Sequence, residues 1–253
     1  MREKPIIFST PMVEALLNTK PEAWPARPID IKKPFKSMTR RVIKPQPDED
    51  GIAYTTIEGF QTAPPGEEIW AQTEEGESVQ LKPRFEEGDL LWVRETWRVS
   101  HVGLSGNDEW AHIVYKCGKS KSIDIHSNEE SLFYASKAKW QSPLFMPRKA
   151  ARLYLRVKSF GIQRLNNISE KDALHEGVER CNPCASLHKN PKITACGGGA
   201  HPIVHCVDCD KYINPTFKAG FAFLWESINA KRGYPWKSNP WVWVYEFMRV
   251  ENE

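Results

Sequence analysis

The 253-residue chain predicts an α+β fold, a small mixed β-barrel flanked by short helices with an inserted zinc-knuckle module. Three observations carry this prediction. Short strand-like segments outnumber helical ones along the chain. Two Cys-x2-Cys pairs lie close together in its second half. Strand-forming sequence resumes after these cysteines, so the cysteine segment is predicted to interrupt a domain. The predicted barrel domain comprises residues 1–178 and 213–253, and the predicted module comprises residues 179–212.

The composition is that of an ordinary globular protein. Hydrophobic residues make up 40% of the chain and charged residues 26%. The formal net charge of +3 is too small to indicate strong non-specific binding of duplex nucleic acid. No apolar run approaches the roughly 18 residues of a membrane helix, and the N-terminal segment lacks the apolar region of a signal peptide. We expect a cytoplasmic protein without a membrane partner.

The first third of the chain alternates ordered and irregular segments. Residues 5–8 predict a strand, and residues 12–18 predict a helix with its apolar side chains on one side. Residues 20–35 carry four prolines and predict a connection. Residues 44–80 are polar and rich in Glu, Gly and Pro, which predicts an irregular excursion.

The centre of the chain predicts several strands. A Gly-Asp turn followed by an apolar, β-rich run at residues 88–97 is a strong strand signal. Residues 112–115 and 132–135 predict two further strands. Residues 151–160 alternate between apolar and basic side chains, which is typical of a strand with one buried face.

The last third predicts two helices and a final strand. Ser169 is a good N-cap, Asp172 completes something close to a capping box, and Gly177 stands where a helix stop belongs. After the cysteines, residues 216–230 predict a helix with one apolar face. Residues 241–247 predict a closing strand with aromatic side chains on one side.

The two cysteine pairs have the spacing of a tetrahedral zinc site, since each tight turn offers two thiolates. The predicted ligands are Cys181, Cys184, Cys206 and Cys209. Four protein ligands close the site, so the zinc is expected to be structural. The alternative ligands are Cys196, His201 and His205. Disulfides are a poorer explanation in a cytoplasmic chain, and Cys117 is expected to be a buried free thiol.

Ten tryptophans are an unusual number for this length. Most lie in apolar segments and are expected in the core. Trp110 and Trp140 suit either the core or its rim. Trp236 follows a proline in a predicted loop, where an indole is placed to stack on a base.

The segment from Phe35 to Arg41 concentrates reactive side chains. It carries the ammonium of Lys36, the hydroxyl of Thr39 and two guanidinium groups. On a helical turn Lys36 and Thr39 share one face, and a hydroxyl beside an amine is a minimal activated nucleophile. A guanidinium pair can hold a phosphate or an oxyanion. The alternative is a solvated basic surface without chemistry.

Several motifs in this order resemble those of the ASCH-domain proteins, a family of PUA-like barrels often encoded by phages and prophages. The motifs are Lys-x-x-Thr-Arg-Arg at 36–41, Gly-Asp-Leu-Leu-Trp-Val-Arg-Glu-Thr-Trp at 88–97, Ile-Ser-Glu-x-Asp-Ala-x-x-Glu-Gly at 168–177, Phe-x-x-Leu-Trp-Glu-Ser-Ile-Asn-Ala-Lys-Arg-Gly-Tyr at 221–234 and Asn-Pro-Trp-Val-Trp-Val-Tyr-Glu-Phe at 239–247. The resemblance covers about two thirds of the chain. Pro34 stands where the family signature has glycine, which puts the local backbone in question.

The resemblance implies an amidohydrolase that removes an acyl group from the exocyclic amine of cytidine. Its catalytic residues would be Lys36, Thr39 and Glu176. Thr39 would attack or position water, Lys36 would accept the proton if burial lowers its pKa, and Glu176 would orient the lysine or bind the pyrimidine amide. The residues implied at the substrate or its phosphate are Arg40, Arg41, Glu95 and Trp97. For Glu95, a buried pairing with Arg94 or Arg41 is the alternative.

Two other functions remain open. The chain could be a non-catalytic protein that binds RNA or single-stranded or modified nucleic acid, with ribonuclease activity as a variant. It could also be a phage assembly or host-interaction protein that uses the barrel as a scaffold. The expected partner is a modified nucleoside or single-stranded nucleic acid, and the expected cofactor is structural zinc.

Overall fold

The computed structural model describes residues 2–18, 35–47, 56–57, 60–61, 69–72, 78–105, 108–180, 193–196, 203–206, 211–213 and 216–250. The strands are β1 (Glu3–Ile7), β2 (Met38–Val42), β3 (Thr56–Ile57), β4 (Phe60–Gln61), β5 (Ile69–Gln72), β6 (Ser78–Leu81), β7 (Leu90–Arg94), β8 (Trp97–Ser105), β9 (Asp108–Tyr115), β10 (Ser120–Ile125), β11 (Tyr154–Arg164), β12 (Ile193–Cys196), β13 (Ile203–Cys206), β14 (Lys211–Ile213) and β15 (Trp241–Val250). The α-helices are α1 (Thr10–Asn18), α2 (Asn128–Ala135), α3 (Glu170–His175) and α4 (Phe217–Asn229).

This element order confirms the α+β class, because strands predominate and the helices are short. In the part of the chain that the structure describes, the strand pairings form open sheets, and none of them closes into a barrel. The same residues contain no helix with the length and apolar character needed to cross a membrane. The contacts divide the chain into two units, unit 1 (residues 1–27, 87–158 and 247–253) and unit 2 (residues 28–86 and 159–246). The predicted separation of residues 179–212 stays a prediction.

Unit 1 contains two sets of paired strands. β1 runs parallel to β7, with Glu3 opposite Leu90, and the start of β11 pairs antiparallel with β7, with Leu155 opposite Leu91. β8, β9 and β10 form a three-stranded antiparallel sheet. One face of that sheet contributes to the core of this unit. The largest side chains in this core are Trp92, Trp97, Tyr115, Tyr134, Met146 and Tyr154.

Unit 2 contains the predicted helix after Ser169 and the helix after the cysteines. β2 pairs antiparallel with β15, and α3 packs against α4. The core of this unit comprises Met38, Leu165, Ile168, Ala173, Val178, Phe221, Trp225, Val242 and Val244. Trp236 packs against this core, with its ring 6.1 Å from that of Phe221, so it is not the exposed stacking residue that its loop position predicts.

The caps of these two helices explain where each begins. The Ser169 side chain accepts a hydrogen bond from the backbone N–H of Asp172, which confirms the predicted N-cap. Thr216 caps α4 in the same way. The carboxylate of Glu170 also accepts from the first two N–H groups of α4, at 2.9 and 3.1 Å, so a side chain of α3 satisfies the start of α4.

The strand predicted at residues 132–135 is wrong, because these residues end helix α2. Ser127 caps this helix by accepting from the N–H of Glu130, and Glu130 accepts in return from the N–H of His126. Such a reciprocal cap favours helix initiation. The four apolar residues alone suit either a strand or a helix, and the cap decides between them.

Candidate functional site

The segment that carries Lys36, Thr39 and the two arginines is extended, so the predicted helical turn is wrong. Met38–Val42 forms β2, and its pairing with β15 places Thr39 opposite Tyr245 and Arg41 opposite Trp243. Side chains alternate along a strand. Arg40 therefore lies on one face of β2, and Thr39 and Arg41 lie on the other.

The structure joins Lys36 and Glu176, which are 140 positions apart. Their backbones form an isolated antiparallel bridge, and each residue is 1% exposed. The Lys36 ammonium donates to the Glu176 carboxylate at 2.9 Å and to the Glu176 carbonyl oxygen at 2.8 Å. Glu176 directly follows α3, and Gly177 adopts a left-handed φ of 79° where the helix stops. The end of α3 thus delivers the carboxylate to the lysine.

Arg40 contacts the same carboxylate from a second direction. One of its terminal nitrogens donates to Glu176 at 3.0 Å, and the other donates to Asp172 at 3.1 Å and to the side-chain oxygen of Gln163 at 3.0 Å. Arg40 is 5% exposed. Its contacts therefore hold the Glu176 carboxylate in place, whereas the prediction assigned Arg40 to a substrate or a phosphate. Asp172 and Gln163 are functional candidates that the sequence analysis missed.

The electrostatics of this cluster act mainly on Lys36. Burial lowers the pKa of the Lys36 ammonium, and the Glu176 carboxylate opposes this effect. The positive charges of Arg41 and Arg40 lower the pKa further. A lysine whose pKa is lowered releases its proton more readily, which is the property that a general base requires.

Thr39 and Arg41 differ in their access to solvent. Thr39 is buried, whereas Arg41 is exposed. Tyr245, opposite Thr39, accepts a hydrogen bond from the backbone N–H of Arg84 at 3.0 Å and packs edge-on against Phe85 at 5.1 Å. Burial lowers the pKa of the Arg41 guanidinium, and the Glu176 carboxylate opposes this effect, so the exposed part of Arg41 is chiefly the rest of the residue. This face of β2 therefore combines a hydroxyl and a guanidinium with aromatic side chains.

His175 ties the segment before β2 to the end of α3. Its Nδ1 lies 2.8 Å from the hydroxyl oxygen of Ser37, and its ring packs edge-on against Phe35 at 4.8 Å. Its backbone carbonyl accepts from the N–H of Ser37 at 2.9 Å. Burial lowers the pKa of His175, and Lys171 lowers it further. The sequence analysis missed this histidine, although its place in the last turn of the predicted helix marked it as a residue beside Glu176.

Glu95 and Trp97, the other two predicted substrate residues, belong to unit 1 and make contacts inside it. The Glu95 carboxylate accepts two hydrogen bonds from Arg152, both at 2.9 Å, and the thiol of Cys117 lies 3.4 Å away. Glu95 is thus a buried ion-pair partner, but of Arg152 instead of Arg94 or Arg41. Trp97 is fully buried in the core. Cys117 is a free thiol that is half-buried.

The predicted zinc site falls mostly outside the described residues. Cys181, Cys184 and Cys209 lie beyond them, and Cys206 is placed only by the backbone of β13, where it pairs with Ile193 of β12. The described part of the chain contains no group of three or more His, Cys, Asp or Glu side chains able to hold a metal ion. The zinc site therefore stays a prediction.

The fold and this cluster define an α+β protein with a buried Lys36–Glu176–Arg40 network beside an exposed arginine. Comparison of the chain with protein-family models, with curated proteins and with solved structures returns no match. The resemblance to the ASCH-domain proteins accordingly stays a prediction from the motifs.

Proposed function

We propose that this protein binds an acylated cytidine base and hydrolyses its acyl group with Lys36, Thr39 and Glu176. The contact between Lys36 and Glu176 is the observation that supports this proposal most strongly. The lysine and the glutamate share a buried hydrogen bond of 2.9 Å, and burial lowers the pKa of the lysine. Threonine is a weak nucleophile that requires a base, and an amine of lowered pKa three positions away in the chain is a candidate for that role.

The proposed reaction proceeds through an acyl-enzyme. The Thr39 oxygen attacks the carbonyl carbon of the substrate amide, and its proton passes to Lys36 in the neutral amine form that its lowered pKa makes accessible from the resting ammonium. The tetrahedral intermediate collapses when the exocyclic nitrogen of cytidine leaves with that proton. Water then cleaves the Thr39 ester, which releases the carboxylic acid. Glu176 orients Lys36 throughout, Arg40 holds the Glu176 carboxylate in place, and Arg41 stabilises the oxyanion.

We further propose the architecture that goes with this chemistry, a PUA-like barrel of the ASCH type with a structural zinc module at residues 179–212. The order of the motifs supports the family. The antiparallel pairing of β12 with β13 and of β13 with β14 is compatible with a small metal-stapled insert. The module would hold zinc with the four cysteines of the two Cys-x2-Cys pairs.

The test incubates the purified protein with N4-acetylcytidine and a panel of acyl variants, with cytidine release followed by chromatography. We expect turnover by the wild type, loss of turnover in Lys36→Ala and Thr39→Ala, and partial activity in Thr39→Ser, which keeps a hydroxyl. Lys237→Ala removes an exposed lysine and serves as the matched control. Turnover in Thr39→Ala or Lys36→Ala equal to that of the control would exclude the proposed roles.

A second candidate function is binding of a modified pyrimidine or a single strand without catalysis. The burial of Lys36, Glu176 and Thr39 favours it, because exposures of 1%, 1% and 4% leave Arg41 as the accessible member of the set. In that case the wild type turns over none of the panel, while Arg41→Ala weakens binding of the nucleoside measured by calorimetry.

A further inference from the structure

The three-stranded sheet of unit 1 has one buried face and one solvent-facing face. Trp97 and Val99 of β8, together with Ala111 and Ile113 of β9, are at most 3% exposed and belong to the core. Side chains alternate along each strand. Arg98 of β8 and the even-numbered residues of β9 therefore lie on the outer face.

Three rings contact one another on this outer face. A bulge after Val99 brings His101 opposite His112, and their rings are nearly parallel at 5.3 Å. Trp110 meets the His101 ring edge-on at 4.9 Å. Trp110 lies directly over Gly103, where a Cβ would approach the indole to 2.7 Å. Glycine at this position lets the indole lie against the backbone of β8.

A fourth aromatic ring lies further along the same face. The segment that follows α2 runs beside β8, with the N–H of Val99 donating to the carbonyl of Lys137 at 2.9 Å. Trp140 of this segment is 47% exposed, and its ring lies 5.3 Å from the Arg98 guanidinium. Arg98 pairs with Val114, two residues from His112, so the backbone of Arg98 and that of the His101–His112 pair are about 7 Å apart along the strands at the usual rise.

The charges on this face are unevenly distributed. Arg98 lies beside the segment that holds Trp140, and this segment also carries Lys137 and Lys139. Lys116 directly follows β9 at the same end of the sheet. The Lys137 ammonium lies 4.9 Å from the ring of Phe133. Asp108 and Asp124 lie at the end that holds Trp110. An anionic chain is therefore attracted to the Trp140 end, where an exposed indole and a guanidinium plane stand side by side.

We propose that this face binds single-stranded nucleic acid, with one base stacked at Trp140 and Arg98 and another at His101. Aromatic rings and guanidinium planes on an open surface are what unstacked bases bind, and cations beside them receive the phosphates. Apart from Val114, the outer face offers rings, serines and a guanidinium in place of the aliphatic side chains that a protein partner would bury. The surface lies within unit 1, and the inference does not rest on the proposed deacylation.

The test measures fluorescence anisotropy of a labelled 12-nucleotide uridine strand titrated with the full chain. Removal of a stacking side chain generally costs about 5- to 100-fold in affinity per base, so we expect a loss of this size in Trp140→Ala and in His101→Ala. Phe145→Ala is the matched control, because Phe145 is 66% exposed but outside the row of rings. Lys237→Ala, which removes an exposed lysine of unit 2, should bind the strand as the wild type does.

Ring-preserving variants keep the result interpretable. Trp140→Phe and His101→Tyr should retain most of the affinity, and circular dichroism melting should show that all variants are folded. Wild-type protein that binds no single strand, or binds duplex of the same length as tightly, would overturn the proposal. So would equal affinities of Trp140→Ala, His101→Ala and Phe145→Ala. Capture of a protein partner that Trp140→Ala abolishes, without any strand binding, would assign the face to protein recognition.

Discussion

Glu176 places a single negative charge between two buried cations, Lys36 and Arg40. Both ion pairs have side-chain exposures of at most 2%. Water therefore cannot compensate for the loss of any one partner, and the three groups depend on one another. The arrangement suits a site in which a lysine has to be held in one orientation and its pKa kept below the usual range.

Replacement of Glu176 by Gln should destabilise the protein strongly, because two buried cations then lose their counter-charge. Breaking a buried pair in this way typically costs about 3–5 kcal/mol. Urea denaturation followed by tryptophan fluorescence gives the change in the free energy of unfolding. Glu87→Gln, at an exposed position, is the matched control. A Glu176→Gln midpoint equal to that of the control would mean that the network is not an ionised unit.

The lowered pKa of His175 predicts an acid-sensitive contribution to stability. Because the folded-state pKa lies below the ordinary value of 6.5, the unfolded chain takes up the proton first as the pH falls. The contribution of His175 is therefore present above pH 6.5 and is lost as the pH falls below it. His175→Asn keeps a hydrogen-bonding group but cannot titrate.

The measurement is the difference in the free energy of unfolding between wild type and His175→Asn, determined from pH 8 to pH 5. Below pH 6.5 we expect the wild type to lose stability relative to the variant, so that this difference becomes smaller. A flat curve would contradict the assignment of a buried imidazole with a lowered pKa.

At the scale of elements, the start of α3 controls the position of the site. Ser169 caps the helix through the N–H of Asp172, and the Asp172 carboxylate in turn accepts from Arg40. Glu170 of the same turn satisfies the first N–H groups of α4. One short helix thus connects its own cap, the neighbouring helix and the buried network.

Loss of the cap should therefore lower the free energy of unfolding. We expect Ser169→Ala to lower the free energy of unfolding by about 1 kcal/mol, since one N–H of the first turn loses its acceptor. Ser169→Thr keeps the hydroxyl and should lie close to wild type. Chemical denaturation of the three proteins provides the comparison, and equal midpoints for the Ala and Thr variants would show that the cap contributes nothing.

Among the helices and strands, prediction from the sequence succeeded where the local signals are strong. The helix after Ser169 and the strand at 241–247 carry strong local signals, and both are present. Residues 132–135 and the segment before Arg41 carry local patterns that suit two conformations. The reciprocal cap at Ser127 and Glu130 makes residues 132–135 the end of a helix. The pairing of β2 with β15 makes the segment around Arg41 a strand.

At the scale of the whole molecule, the zinc prediction is that one metal ion, bound by the two cysteine pairs, stabilises the segment at residues 179–212. We expect Cys181→Ser and Cys206→Ser each to lose bound zinc, because a tetrahedral thiolate site needs all four ligands. Elemental analysis of the purified proteins measures this loss. Cys117→Ser, which changes a cysteine of unit 1, should keep one equivalent of zinc.

The thermal unfolding of the remaining chain should change little in these two variants if the metal module is a true insertion. Retention of one equivalent of zinc by both variants would contradict the predicted ligand set. Cys196, His201 and His205 would then be the residues to change next.

By itself, the sequence determined the α+β class, the helix that begins after Ser169 and the closing strand. These depend on local signals such as caps, turns and alternation, which act within a few residues. The candidates Lys36, Thr39 and Glu176 come from the resemblance of the motifs to a known family. Only the tertiary structure decided that Lys36 and Arg40 share Glu176, and that Glu95 pairs with Arg152. It also decided which rings stand together on the outer face of the sheet in unit 1. These contacts join residues far apart in the chain, and burial sets their energies, so no short segment specifies them.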